Sequence, residues 1–174
     1  QDGLSRVTLG NFLIKRVVFE IQEELPNIKN FGTLSPIPGF RDWFVNLDEK
    51  LVKNILGNIP LENISFLKSS SLKIGDTRII SNKNAIYKLV AHYLMNEKNS
   101  KQLPINDVCR FHLGNGAIID DIVINANISE VGFNRSFGVM VNYLYELKNI
   151  EKNHEEYINN KTIIVSNKVK KLIQ

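Results

Sequence analysis

The sequence predicts a mixed α/β (α+β) fold, and three observations carry that expectation. Apolar residues recur at three- and four-residue steps through several long segments, which is the spacing of amphipathic helices. Two later segments, residues 117–128 and 137–145, read instead as strands, the first almost continuously apolar around two aspartates. The chain has 174 residues, 43% hydrophobic and 23% charged, the balance of one domain with an ordinary core.

The elements follow in order. Leu9, Phe12, Leu13, Val17, Ile21 and Leu25 form the stripe of a first helix, which Pro26 and Asn27 end. A short strand-like piece covers residues 30–34 and runs into the loop Pro36-Ile37-Pro38-Gly39. A second helix is expected from Phe40 to Leu56, stopped at Gly57. Residues 59–84 are less periodic and rich in Ser, Asn and Gly, a loop-rich connection with short elements. Ile86, Leu89, Val90, Tyr93 and Leu94 share one side of a third helix over residues 84–97. Pro104 opens a short fourth helix leading to His112, and Gly114-Asn115-Gly116 breaks it. After the two strands, a last helix or strand-helix segment occupies residues 157–173. The opening helix expects a strand before it, so the early strands of such a sheet lie outside this chain. The chain opens on Gln1 rather than Met and reads as a processed product or a fragment.

Composition narrows the function classes. No apolar run approaches the ~20 residues of a bilayer span, and no secretory leader is visible. The expectation is therefore no membrane. A single cysteine, Cys109, makes no internal disulfide and suits a reducing compartment. His92, His112 and His154 lie far apart without metal-ligand spacing, so no metal is expected. The net charge is +4 and the pI near 9.1. The only basic run is Lys168-Val169-Lys170-Lys171, so the lysines read as a solvated face and no nucleic acid is expected. A modest positive balance also suits a phosphorylated small molecule.

Four places carry candidate chemistry. The polar loop over residues 1–10 feeds a helix N-terminus, where backbone N–H groups and the dipole favour phosphate; on its own residues it reads as a plain loop and cap. Ser35 precedes Pro36, which biases it to an extended conformation, either as a structural Ser-Pro or as a held hydroxyl. His112 is either a helix-end group or a proton carrier, since imidazole titrates near neutrality. Tyr143 and Tyr145 share one strand face, for packing or for substrate contact.

Four blocks, LGNFLIKRVV (residues 9–18), LSPIPGF (34–40), FHLGNGA (111–117) and GVMVNYLY (138–145), make the chain resemble the C-terminal catalytic part of malonyl-CoA decarboxylases. The blocks occur in the family's order across most of the chain. The resemblance implies a GNAT-like, acyl-CoA-binding fold, incomplete at its N-terminal side, with a separate helical domain absent from this chain. It implies decarboxylation of malonyl-CoA to acetyl-CoA and CO2, linked to fatty acid metabolism, with no cofactor beyond the CoA of the substrate. Ser35 and His112 match the family's acting serine and histidine. The acyl-CoA loop maps to Ser5, Arg6, Val7, Thr8, Leu9, Gly10 and Asn11, and Tyr145 joins the substrate contacts. A homo-oligomeric full-length protein in the cytoplasm or mitochondrion is also implied, with the peroxisome left open. The terminal Leu172-Ile173-Gln174 is not the peroxisomal Ser-Lys-Leu signal.

The chain departs from the family pattern in its loop. Arg6 stands for a glycine that allows close backbone approach, and Thr8 for a glutamate that can orient the histidine. Further on, Asp121-Ile122-Val123 and Ala126-Asn127 replace an Arg-x-Asn pair and an Ala-Asp pair. These departures keep two other expectations in view: a non-catalytic acyl-CoA-binding relative, and a GNAT-like acyltransferase.

Overall fold

A computed structural model describes residues 9–172. The first element, α1 (Leu9–Glu24), matches the expected helix in its bounds. Of its expected stripe, Val17 and Leu25 are exposed and Ile21 is half-buried, whereas Val18 is 5% exposed and Ile14 packs against the core.

Three strands form one antiparallel sheet: β1 (Asn30–Pro36), β2 (Ile118–Val123) and β3 (Met140–Glu146). Their order is β1-β3-β2, so β3 is central. On β1 the register pairs Phe31 with Tyr145, Thr33 with Tyr143 and Ser35 with Val141. The outer edge of β1 carries no strand among the described residues. On the other side a bulge between Ile119 and Asp121 interrupts the pairing with β3.

The helix expected over residues 40–56 is two helices, α2 (Phe40–Val45) and α3 (Glu49–Leu56). The break has a local cause. Asp48 adopts an extended backbone and its carboxylate accepts from Lys50 N at 2.8 Å and Leu51 N at 3.3 Å, starting a new helix. Asp48→Ala is expected to lower stability by about 1 kcal/mol, and Asp48→Ser by less. Urea midpoints of the two variants check this, and equal midpoints would count against the cap.

The loop-rich connection holds α4 (Glu62–Ser65) and α5 (Thr77–Ser81), and α6 (Lys83–Met95) is the expected third helix. Pro104 does not open the next helix: it bridges Lys98, and α7 (Asp107–Gly114) starts after Asn106. Residues 124–137 are not strand. They turn into α8 (Glu130–Ser136), whose first turn is capped by the Ser129 hydroxyl accepting from Gly132 N. Phe137 ends that helix in the left-handed region, at φ 55°. Chain exit is by α9 (Ile150–Asn160), Val165 bridging Ile119 in parallel, and α10 (Asn167–Leu172). The expected last segment therefore starts late and merges two helices.

The core lies between one sheet face and the helices. Phe137 meets Phe40 and Phe44 edge-on, with ring centroids 6.2 and 6.1 Å apart. Leu89, Val90 and Leu94 of α6 are fully enclosed beside them. Burying side chains of this size contributes about 1.5–3 kcal/mol each, and the rigid layer they form supports the sheet face described next.

Candidate active site

Paired residues of antiparallel strands present their side chains to the same face. Phe31, Thr33 and Ser35 of β1 therefore share a face with Val141, Tyr143 and Tyr145 of β3. Ser35 is held extended by the following Pro36. Beyond it, the Pro38 carbonyl accepts two hydrogen bonds, from Tyr93 Oη at 3.1 Å and from Asn106 Nδ2 at 2.9 Å. Gly39 sits at φ 81°, and a Cβ there would fall 2.9 Å from the Tyr93 hydroxyl. The proline loop is thus pinned by α6 and by the start of α7.

Asn106 does two jobs. Its Oδ1 accepts from Cys109 N at 2.8 Å and caps α7, while its Nδ2 holds the serine loop. One side chain therefore sets the helix that carries His112 against the strand that carries Ser35.

The outcome is a short chain of polar groups across 77 positions of sequence. Ser35 Oγ lies 2.9 Å from His112 Nε2, and His112 Nδ1 lies 2.7 Å from the Tyr145 hydroxyl. On its other side Ser35 Oγ lies 3.2 Å from Thr33 Oγ1. The His112 ring stacks on Tyr143, with centroids 4.2 Å apart and planes 16° from parallel. Ser35 and His112 are each 6% exposed. Burial pushes the His112 pKa down to about 4, so the imidazole is neutral at pH 7. Burial raises the Tyr145 and Tyr143 hydroxyls above their ordinary range, which keeps both protonated.

A neutral imidazole in the folded state and a charged one in the unfolded chain make stability pH-dependent. Below pH ~6.5 the unfolded chain binds the additional proton, so stability falls as the pH drops from ~6.5 to about 4 and levels off below. The loss from this group is on the order of a few kcal/mol. Urea midpoints between pH 7 and 4 check it: His112→Gln should flatten the profile, and an unchanged slope would count against it.

Of the expected site residues, the structure brings Ser35, His112 and Tyr145 together. Tyr145 stands behind the histidine, its hydroxyl used on Nδ1, rather than at an open surface. Leu9, Gly10 and Asn11 form the first turn of α1. Ser5, Arg6, Val7 and Thr8 lie outside the described residues. His92 is elsewhere, stacked on Trp43 and 3.3 Å from Glu97. His154 Nδ1 donates to Gly114 O at 2.6 Å. Among the described residues no group of three or more His, Cys, Asp or Glu could hold a metal ion. Burial pushes the Cys109 thiol up to about 12, so it stays protonated. Two residues at the site escaped sequence reasoning, Thr33 and Asn106; Tyr143, expected to pack or to touch substrate, is the platform on which the His112 ring stacks. An asparagine directly before an amphipathic turn was the available signal for Asn106.

A helical layer against an antiparallel sheet, with a buried serine and histidine on the covered face, makes this a mixed helix-and-sheet domain, in line with the GNAT-like fold that the resemblance implies. Comparison with known proteins then gives the family. The description of the malonyl-CoA decarboxylase C-terminal domain matches residues 1–174. The chain is 34% identical to the mitochondrial malonyl-CoA decarboxylase of Mus musculus over 191 residues, covering 99% of this chain and 39% of the relative. It is 34% identical over 187 residues to that of Anser anser anser, covering 97% and 37%. The crystal structure of malonyl-CoA decarboxylase from Rhodopseudomonas palustris superposes with a TM-score of 0.83 at 36% identity, over 100% of this chain and 40% of that one. The corresponding protein from Cupriavidus metallidurans gives 0.80 at 35%, over 99% and 45%. The chain belongs to the malonyl-CoA decarboxylase family and spans roughly two-fifths of the length of these relatives.

Proposed function

We propose that the protein of which this chain is the C-terminal catalytic part decarboxylates malonyl-CoA to acetyl-CoA, with Ser35 and His112 as the acting pair. One observation carries the reading: a buried hydroxyl 2.9 Å from a buried, neutral imidazole on one face of the sheet. Cleavage of the bond to the carboxyl carbon releases CO2 and leaves its electron pair on the thioester as an enolate. Donors directed at the thioester oxygen stabilise that charge, and a positioned acid then protonates carbon. Ser35 holds the malonyl group, and the carbon proton comes from His112 Nε2.

The depressed pKa of His112 belongs to the free site. An incoming malonyl carboxylate is an anion beside the ring and favours its charged form, since opposite charges within about 4–6 Å raise a histidine pKa. Substrate thus draws a proton onto His112 before the bond breaks. Overall one proton is consumed per turnover, because a carboxylate leaves as neutral CO2 and carbon gains a hydrogen. The residues present do this with no metal and no organic cofactor.

The same reading places the CoA phosphates at residues 5–11, where the N-terminus of the 16-residue α1 offers N–H donors and the positive dipole end. Its partners are malonyl-CoA and acetyl-CoA, with neither nucleic acid nor membrane, in a homo-oligomeric intracellular protein; the mitochondrial names of the animal relatives favour that compartment. Incubating the full-length protein with malonyl-CoA and following acetyl-CoA release tests the reading. Acyl-CoA binding without turnover would favour a non-catalytic relative in which Thr8 replaces the family's carboxylate. Acetyl transfer to an amine without CO2 release would favour an acyltransferase.

A further inference from the structure

The reaction needs a fresh proton each cycle, and His112 and Ser35 are both buried. Three contacts outline where it enters. Ser35 Oγ is placed between His112 Nε2 at 2.9 Å and Thr33 Oγ1 at 3.2 Å, and Tyr145 closes the far end at 2.7 Å from Nδ1. Thr33 is half-buried, whereas Ser35, His112 and Tyr145 are buried, so Thr33 is the member nearest solvent. Resting on the decarboxylase reading, we propose that the Thr33 hydroxyl is the outer member of a proton relay that reloads His112 from solvent through Ser35.

The structure has Ser35 donating to Thr33 Oγ1, which is one direction of the chain, and proton uptake requires the hydroxyls to turn into the other. In one, the Tyr145 O–H donates to Nδ1, Nε2–H donates to Ser35 Oγ, and the Ser35 O–H donates to Thr33 Oγ1. In the other, Thr33 donates to Ser35, Ser35 donates to Nε2, and Nδ1–H donates to the Tyr145 oxygen. The hydroxyls switch between these roles because each both donates and accepts, and the imidazole switches by exchanging tautomers. The second direction is the uptake path. A proton from water is taken by Thr33 Oγ1 as its own passes to Ser35 Oγ, and the Ser35 proton passes to Nε2. Each hydroxyl ends with one proton, and His112 becomes the imidazolium. Transfer from Nε2 to the enolate carbon returns the ring to its neutral form. Tyr145 cannot serve as the entry, since it is 1% exposed and its hydroxyl faces the ring.

Thr33 thus acts through Ser35 and is a positioning and relay residue. Thr33→Val keeps the branched shape and the strand preference while removing the hydroxyl. In the full-length protein with malonyl-CoA, Thr33→Val should lower kcat about tenfold, less than the ~10²–10⁴-fold of losing the acid itself, with KM changed less than about twofold. Added imidazole buffer, a small proton carrier, should restore the variant's kcat and leave the wild type unchanged. Thr33→Ser should turn over like the wild type. The relay is overturned by a Thr33→Val enzyme at wild-type kcat, by a loss that imidazole does not relieve, or by a Thr33→Ser enzyme as slow as Thr33→Val. A wild-type protein without decarboxylase activity would overturn the decarboxylase reading and the relay with it, which separates the two failures.

Discussion

Ser35→Ala and His112→Gln are each expected to lower kcat for malonyl-CoA decarboxylation by about 10²–10⁴-fold in the full-length protein, the range of a lost general acid. The two groups act on one proton at 2.9 Å separation, so the double variant should be little slower than the worse single one. The KM values should separate the roles. Ser35 holds the malonyl group, so Ser35→Ala raises KM as well as lowering kcat. His112 acts chiefly when the enolate forms, so His112→Gln lowers kcat by more than it raises KM. Acetyl-CoA release beside far-UV circular dichroism of each variant measures both. Either single variant within tenfold of wild-type kcat, or losses that multiply in the double variant, would remove the pair from the chemistry.

The serine side of that site was legible because its frame is local. Pro36 constrains Ser35 through a steric rule between neighbours, and the positions of Tyr143 and Tyr145 follow from strand period alone. The histidine's partner was not legible from spacing. The contact depends on the β1–β3 register and on Asn106 joining α7 to Pro38 O, neither of which leaves a periodic trace. Resemblance to a family supplied the pairing before geometry did. The missed elements have the same origin. The split of residues 40–56 turns on one carboxylate, Asp48, against an apolar pattern that runs through the break. The α8 turn follows a strand whose apolar run continues to Ile128, and its cap at Ser129 looks like any serine in a loop. On α1 the exposed Val17 and the buried Val18 show that a helical stripe says which residues can be covered together, not which neighbours are present to cover them.

Gly116→Ala should cost about 3 kcal/mol or more. Gly116 has φ 81°, where a side chain is strained by roughly 1–2 kcal/mol. A Cβ there would lie 2.2 Å from Ile150 O and 2.9 Å from Ile150 C. Those atoms are backbone at the start of α9, so the helix itself must shift, which adds a further ~1–3 kcal/mol of overpacking. The contact is reinforced by Asn153 Nδ2 donating to Gly116 O at 3.1 Å, a bond such a shift would stretch. Gly114, two residues earlier, is the internal control. It ends α7, and a Cβ would meet only Tyr157 Cε1, at 3.9 Å, an ordinary contact. Gly114→Ala is therefore expected to be neutral or stabilising by up to ~1 kcal/mol, since alanine favours helix over glycine. Natural domains hold only about 5–15 kcal/mol in reserve, so Gly116→Ala removes a large share of it. Because Ala117 N donates to His112 O at 3.1 Å, the displaced loop also pulls on the histidine's own turn, and activity should fall along with stability. Urea midpoints of the two alanine variants decide the matter: equal midpoints would mean that α9 does not rest on the Gly116 backbone.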